Sequence, residues 1–215
     1  MKKVSKPTMI ITFLLTAAPM LAGVILWNRL PERVPVHFGF DGQPDSWSSR
    51  TFAVFALPAF LLAIHAACIK ITSLDPRAEN ISAKVHSLVL WTVPAVSLLA
   101  ACLTYGTALG YPVNANRFAL VLMGVLFIAV GNYLPKCRQN YTVGIRIPWT
   151  LADEENWNRT HRMAGPLWIA GGLIFLISGF IKVDSGVIMF PVIILMVLVP
   201  CVYSYLLFRR KKAEN

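Results

Sequence analysis

The chain has 215 residues, 56% of them hydrophobic and only 14% charged, with a formal net charge of +10. A soluble domain carries about a quarter charged residues. Composition therefore excludes an ordinary soluble domain, and the positive charge is read as membrane topology rather than nucleic-acid binding.

The apolar residues cluster in runs long enough to cross a hydrocarbon core roughly 30 Å thick as helices. Six runs are predicted as spans: 8–27, 52–71, 88–109, 118–134, 166–181 and 186–208. The fold class is thus an all-α integral membrane protein. The first run follows Lys2, Lys3 and Lys6 as a signal peptide would. Its apolar part exceeds the 7–15 residues of a signal h-region, so it is read as an uncleaved span.

Between the first two spans, residues 28–50 form a polar loop dense in turn formers, Phe38-Gly39-Phe40-Asp41-Gly42-Gln43-Pro44-Asp45. Pro31 and Pro35 fix extended backbone ahead of it. His37, Asp41 and Asp45 offer cation ligands, but no standard ligand spacing fits, and turn capping explains the same residues. The second span holds His65, with Cys68 one turn on. As an intramembrane ionisable group it is either a proton or metal site, or a histidine hydrogen-bonded to a neighbouring helix. No span interior contains Asp or Glu, which argues against ion-coupled transport.

The fourth and fifth spans are joined by the polar segment 135–165. Val143-Gly144-Ile145-Arg146-Ile147 reads as extended backbone ended by Pro148. Thr150 is the expected helix N-cap, with Asp153, Glu154 and Glu155 facing the positive end of the dipole. Trp157, His161, Ala164 and Trp168 recur at helical spacing, and Asn158, Arg159 and Arg162 lie off that face. The pattern predicts a short amphipathic helix at the membrane interface, running into the fifth span.

With the N-terminus in the cytoplasm, fifteen of the twenty Lys and Arg fall on the inner side. Arg29, Arg33, Arg50, Arg117 and Lys182 fall outside. Six spans with both termini cytoplasmic is the topology this bias favours. Loop 28–50 then faces outward and 135–165 inward, towards anionic inner-leaflet lipid. Cys68, Cys102, Cys137 and Cys201 show no metal-ligand or redox spacing. The sequons at Asn80, Asn140 and Asn158 lie on the inner side. No motif calls for a cofactor or a metal.

Several of these residues carry a resemblance. Gly131-Asn132, the run Gly144-Ile145-Arg146-Ile147-Pro148-Trp149-Thr150-Leu151, then Glu155-Asn156-Trp157 and His161 resemble the signature of the SdpI family of bacterial immunity membrane proteins. The outer loop, from Leu30-Pro31-Glu32-Arg33-Val34-Pro35-Val36-His37-Phe38 to Gly42-Gln43-Pro44-Asp45, is similar to an N-terminal membrane domain of unknown function that precedes it in many members. The resemblance implies an N-terminal domain at 1–73 and an SdpI-like domain at 74–215. It implies a non-enzymatic protein of the bacterial plasma membrane that resists a secreted, membrane-active toxin peptide met on the outer face. It also implies relay to a cytosolic transcriptional repressor. The inner-site candidates are Asn132, Arg138, Asn140, Gly144, Arg146, Pro148, Trp149, Thr150, Trp157 and His161, with Arg146 and Asn140 the candidates for an anionic group. The outer-site candidates are Pro35, His37, Phe38, Gly42, Pro44 and Asp45.

Two other function classes stay open. A membrane enzyme acting on lipid or peptide would need a base, and His161 with Glu154 or Glu155 is the one plausible set. A small-solute transporter would rest on His65.

Overall fold

A computed structural model describes residues 5–181 and 185–214. Lys2, Lys3 and Lys182, used above for topology, lie outside the described residues. Helix α1 (Lys6–Ile25) starts where the Ser5 hydroxyl accepts from the Thr8 amide and Pro7 occupies the first turn. A hairpin follows, β1 (Arg33–Phe38) and β2 (Pro44–Ser49). A π-helical turn, Phe52–Ala56, leads into α2 (Leu57–Ser73). Next come α3 (Ala83–Ala108), α4 (Ala115–Tyr133), the five-residue α5 (Pro148–Ala152), α6 (Glu154–Ser178) and α7 (Ser185–Glu214).

Among the described residues, five helices are long and apolar enough to cross a membrane, at Lys6–Ile25, Phe52–Ser73, Ala83–Ala108, Ala115–Lys136 and Gly186–Glu214. The run at 166–181 falls mainly in the second half of α6. The first half of that helix, from Glu154 to Arg162, is polar, so α6 as a whole is less apolar than these five. By Cα packing the described chain divides into two compact units, 5–70 with 89–119, and 71–88 with 120–214.

In the first unit, the turn-rich loop at 28–50 is an antiparallel hairpin. Arg33 pairs with Ser49, Val34 with Ser48 and Pro35 with Trp47, and the register shifts after Pro35. Gly42 turns the chain at φ +79°, a value that side chains resist. Asp41 accepts from the Gln43 amide and His37 Nδ1 lies 2.6 Å from Asp45 Oδ1. These acids cap and pin the turn, and no group of three metal-ligating side chains occurs among the described residues. Arg50 anchors the hairpin base by donating to the carbonyls of Trp27 and Leu30, with its guanidinium over the Trp27 ring. Within the span, His65 is fully buried, hydrogen-bonds Thr12 at 3.1 Å and meets the Phe13 ring edge-on. The neighbouring-helix reading of His65 is the one observed.

In the second unit, α4 and α6 touch through backbone. A Cβ added at Gly131 would lie 2.8 Å from the Gly165 carbonyl oxygen, and one at Gly124 2.8 Å from that of Gly172. These pairs, seven residues apart on both helices, let the backbones approach until no side chain fits.

Candidate functional site

The segment between α4 and α6 folds back on itself around two side chains of the first turns of α6. Trp157 is fully buried, and its indole Nε1 donates to the Cys137 carbonyl at 2.8 Å. One turn on, the His161 ring stacks on Trp157 with centroids 4.0 Å apart. His161 Nδ1 donates to the Trp157 carbonyl at 2.8 Å, and Nε2 accepts from the Ile145 amide at 2.9 Å. One nitrogen donates and the other accepts, so the ring is the neutral tautomer protonated at Nδ1. Burial pushes its pKa down to about 4.

Gly144 lies directly against these rings. Its φ is +118°, and a Cβ there would sit 2.5 Å from His161 Nε2 and 3.1 Å from the Trp157 ring. Only glycine meets both conditions.

Thr150, expected as the N-cap of the following helix, has another task. It is fully buried at the third position of α5, and its hydroxyl accepts from the Ile147 amide at 3.1 Å. It also lies 2.7 Å from the Ile145 carbonyl, to which it donates. The N-cap of α6 is Asp153, whose carboxylate accepts from the Glu155 amide. Asp153 sits in extended backbone at φ −141°, so α5 and α6 are separate helices. Its carboxyl is held below the usual range, first by a hydrogen bond from Lys211. Thr150→Val keeps the shape and removes both hydroxyl bonds. It is expected to destabilise the loop by about 1–2 kcal/mol, read as a lower thermal midpoint of the purified protein than for Thr150→Ser.

Asn140 is also buried. Its Oδ1 accepts from the amides of Thr142 and Val143, and its Nδ2 donates to the Arg138 carbonyl. With its amide committed to the backbone, Asn140 is not available to an external anion, contrary to its sequence-based pairing with Arg146. Arg146 is exposed and donates to the Tyr141 carbonyl at 2.8 Å. Trp149 leaves the cluster and packs on α7, 5.1 Å from the Tyr205 ring. Pro148 supplies the first residue of α5. Asn132 and Arg138 are exposed and stand outside the cluster, with Asn132 accepting from Lys136. Of the outer candidates, His37 and Asp45 meet in the hairpin, Phe38 pairs with Pro44, and Pro35 is buried beneath Trp47's strand.

Several partners of the loop were not anticipated. Asp75, more than sixty residues away in sequence, accepts from the Tyr141 amide at 2.9 Å and the Thr142 hydroxyl at 2.7 Å. Gln139 donates to the carbonyls of Thr150 and Leu151, accepts from Arg77, and its own carbonyl accepts from Asn80. Asn156, Thr160 and Ser204 form a buried polar cluster that ties α6 to α7, with Ser204 donating to Asn156 at 2.6 Å. The turn signal at Asp75-Pro76 was visible in sequence; the long-range pairing was not.

The site is therefore a rigid, internally hydrogen-bonded loop that presents Arg146 to solvent. Its one histidine has both nitrogens bonded to backbone, and Glu155 is paired with Arg159 at 2.9 Å.

Comparison with known proteins matches this region and the hairpin separately. The SdpI/YfhL protein family matches residues 136–204, and a domain of unknown function, DUF1648, matches residues 14–62. The Immunity protein SdpI of Bacillus subtilis (strain 168) is 25% identical over 194 residues, covering 88% of this chain and 90% of that protein. No solved structure matches the chain. The segment 136–204, which resembles the SdpI/YfhL family, contains Gly144, Trp157 and His161, and a segment similar to DUF1648 precedes it: the chain is a multi-pass bacterial membrane protein similar to SdpI along most of its length.

Proposed function

We propose that this protein confers immunity to a secreted, membrane-active toxin peptide, acting as a binding protein rather than an enzyme. The observation that carries the reading is the likeness to Immunity protein SdpI along nearly nine-tenths of both chains. The topology we favour has six spans, with the second half of α6 as the fifth, and both termini cytoplasmic. This puts the hairpin outside and the signature loop inside.

The hairpin suits contact with a peptide. Its turn, with the connection from α3 to α4, borders a cavity of about 380 Å³ lined by Asp41, Gln43, Tyr111 and Asn114. Tyr111 and the hairpin's Phe40 and Trp47 are all about half exposed or more. Large exposed aromatics are the residue types that anchor partners. The signature loop would serve as the cytoplasmic docking element for a transcriptional repressor, with Arg146 as its contact.

The bonding of the two candidate histidines favours this reading over an enzyme or a transporter. His161 has both ring nitrogens bonded to backbone, as the neutral tautomer, so this ring is not free to act as a base. His65 bonds Thr12 through Nε2 within the span, while its buried Nδ1 has no partner among the described residues.

The test is a killing assay. A strain sensitive to the toxin peptide, expressing this protein, is expected to survive. Arg146→Ala is expected to insert at normal abundance, because its side chain makes one exposed hydrogen bond, yet to lose resistance. Death of both strains, with the protein correctly inserted, would remove this toxin as the ligand and turn attention to lipid profiling. Full resistance from Arg146→Ala would remove the loop from the mechanism.

A further inference from the structure

On the flank of the second unit, α4 and α6 leave an apolar groove of about 380 Å³ that the loop chemistry does not use. It exists because of the glycine contact. With Gly131 and Gly165 backbone to backbone, no side chain can fill the crease between the helices. Pro135 and Pro166 form its upper walls, and Ile169 and Leu173 continue it along α6. Leu173 is 45% exposed. A polar end completes it. Lys136 lies at the mouth with its ammonium 3.3 Å from Asn132 Oδ1. Arg162, exposed on α6 four residues before Pro166, lies on the same helix face as Pro166, Ile169 and Leu173. Glu155, the nearest paired acid on α6, lies about two turns further from the groove and is engaged by Arg159.

We propose that this groove binds one anionic phospholipid, with an acyl chain along the crease and the headgroup phosphate between Lys136 and Arg162. The reasoning is of complementarity. In a bilayer, an open apolar crease is filled by hydrocarbon, so a chain enters whatever the headgroup. The headgroup is selected at the mouth, where Lys136 follows the end of α4 and Arg162 precedes the apolar half of α6. Basic pockets between membrane helices take acidic lipid headgroups for this reason. A lipid seated there would brace the junction of α4 and α6 from outside, next to the signature loop. The inference rests on the membrane assignment and not on the immunity reading.

The experiment is native mass spectrometry of the purified full-length protein in detergent, titrated with phosphatidylglycerol and phosphatidylcholine together. The wild type is expected to retain one phosphatidylglycerol in preference to phosphatidylcholine by on the order of tenfold or more, about what two surface cations supply. The Lys136→Gln, Arg162→Gln double variant is expected to lose that preference and bind both lipids alike. Ala170→Phe, which puts a ring into the groove lining, is expected to lose retention of both with the cations intact. Continued shielding of the buried Cys137 thiol from maleimide reports that each variant is folded. Equal retention of the two lipids by the wild type, or an undiminished preference in the folded double variant, would overturn the proposal.

Discussion

Replacing Gly144 by alanine is expected to open the signature loop. Two independent costs meet at this residue. The backbone sits at φ +118°, where an L side chain is strained by about 1–3 kcal/mol. The new Cβ would also lie 2.5 Å from His161 Nε2 and 3.1 Å from the Trp157 ring, both fully buried or nearly so. Neither ring has room to retreat. Trp157 is tied to the Cys137 carbonyl, and His161 is held between the Trp157 carbonyl and the Ile145 amide. Relief therefore means giving up at least one buried hydrogen bond, another 1–3 kcal/mol or so. The combined cost, on the order of 3 kcal/mol, is enough to populate an open loop. Cys137 reports it directly. It is 7% exposed, and burial raises its thiol pKa to about 11, so it reacts slowly with maleimide at neutral pH. Gly144→Ala is expected to speed that labelling by tenfold or more, and to abolish resistance in the killing assay with the spans still inserted. Labelling at the wild-type rate would show that the loop tolerates a side chain there and that the clash is relieved by a small shift.

This loop also shows what could be read from the sequence. The apolar runs gave five of the long helices directly, because a helix in hydrocarbon must satisfy its own backbone and lipid-facing side chains must be oily. The apolar run at 166–181 was legible, but not the length of the helix that contains it. The polar half of α6 is solvated on one face and packed on the other, and only the packing holds Trp157 and His161 inside. The same ambiguity moved the helix start. Thr150 and Asp153 are both good N-cap residues three positions apart, and the choice between them was made by tertiary contacts. Thr150 was drawn inward to the Ile145 and Ile147 backbone, which left Asp153 to cap α6. The hairpin was missed for a related reason. Pro44-Asp45-Ser46-Trp47-Ser48-Ser49 has little strand propensity, and it pairs because the Gly42 turn and Arg50 bring it back along β1. Asp75 and Arg77 hold the loop from outside its own sequence, and neither spacing nor composition points to a partner sixty residues away.

The second large effect is in the pH dependence, and its sign follows from the tautomer. His161 serves the fold only when neutral, because protonated Nε2 has no lone pair for the Ile145 amide. Its pKa is about 4 in the folded loop, against about 6.5 in an unfolded chain. Between these values the unfolded state binds more protons, so stability falls as the pH falls. The contribution is complete above pH 6.5 and is lost progressively towards pH 4, where the deficit is roughly 3 kcal/mol. Cys137 is neutral throughout this range, and the Asp153 carboxyl, held low by Lys211, is lost only at more acid pH. The Cys137 labelling rate of the wild type is therefore expected to rise steadily from pH 6.5 to 4.5, after correction for the thiol's own ionisation with an unfolded control. His161→Gln removes the titrating ring and keeps a side chain that can accept from the Ile145 amide. It is expected to label faster than wild type at pH 7.5 and to show no rise on acidification. A wild type that is flat over this range would mean that the loop accommodates imidazolium, and that the contact between His161 and Ile145 is not what closes it. A variant that keeps the wild-type slope would place the acid sensitivity on another group.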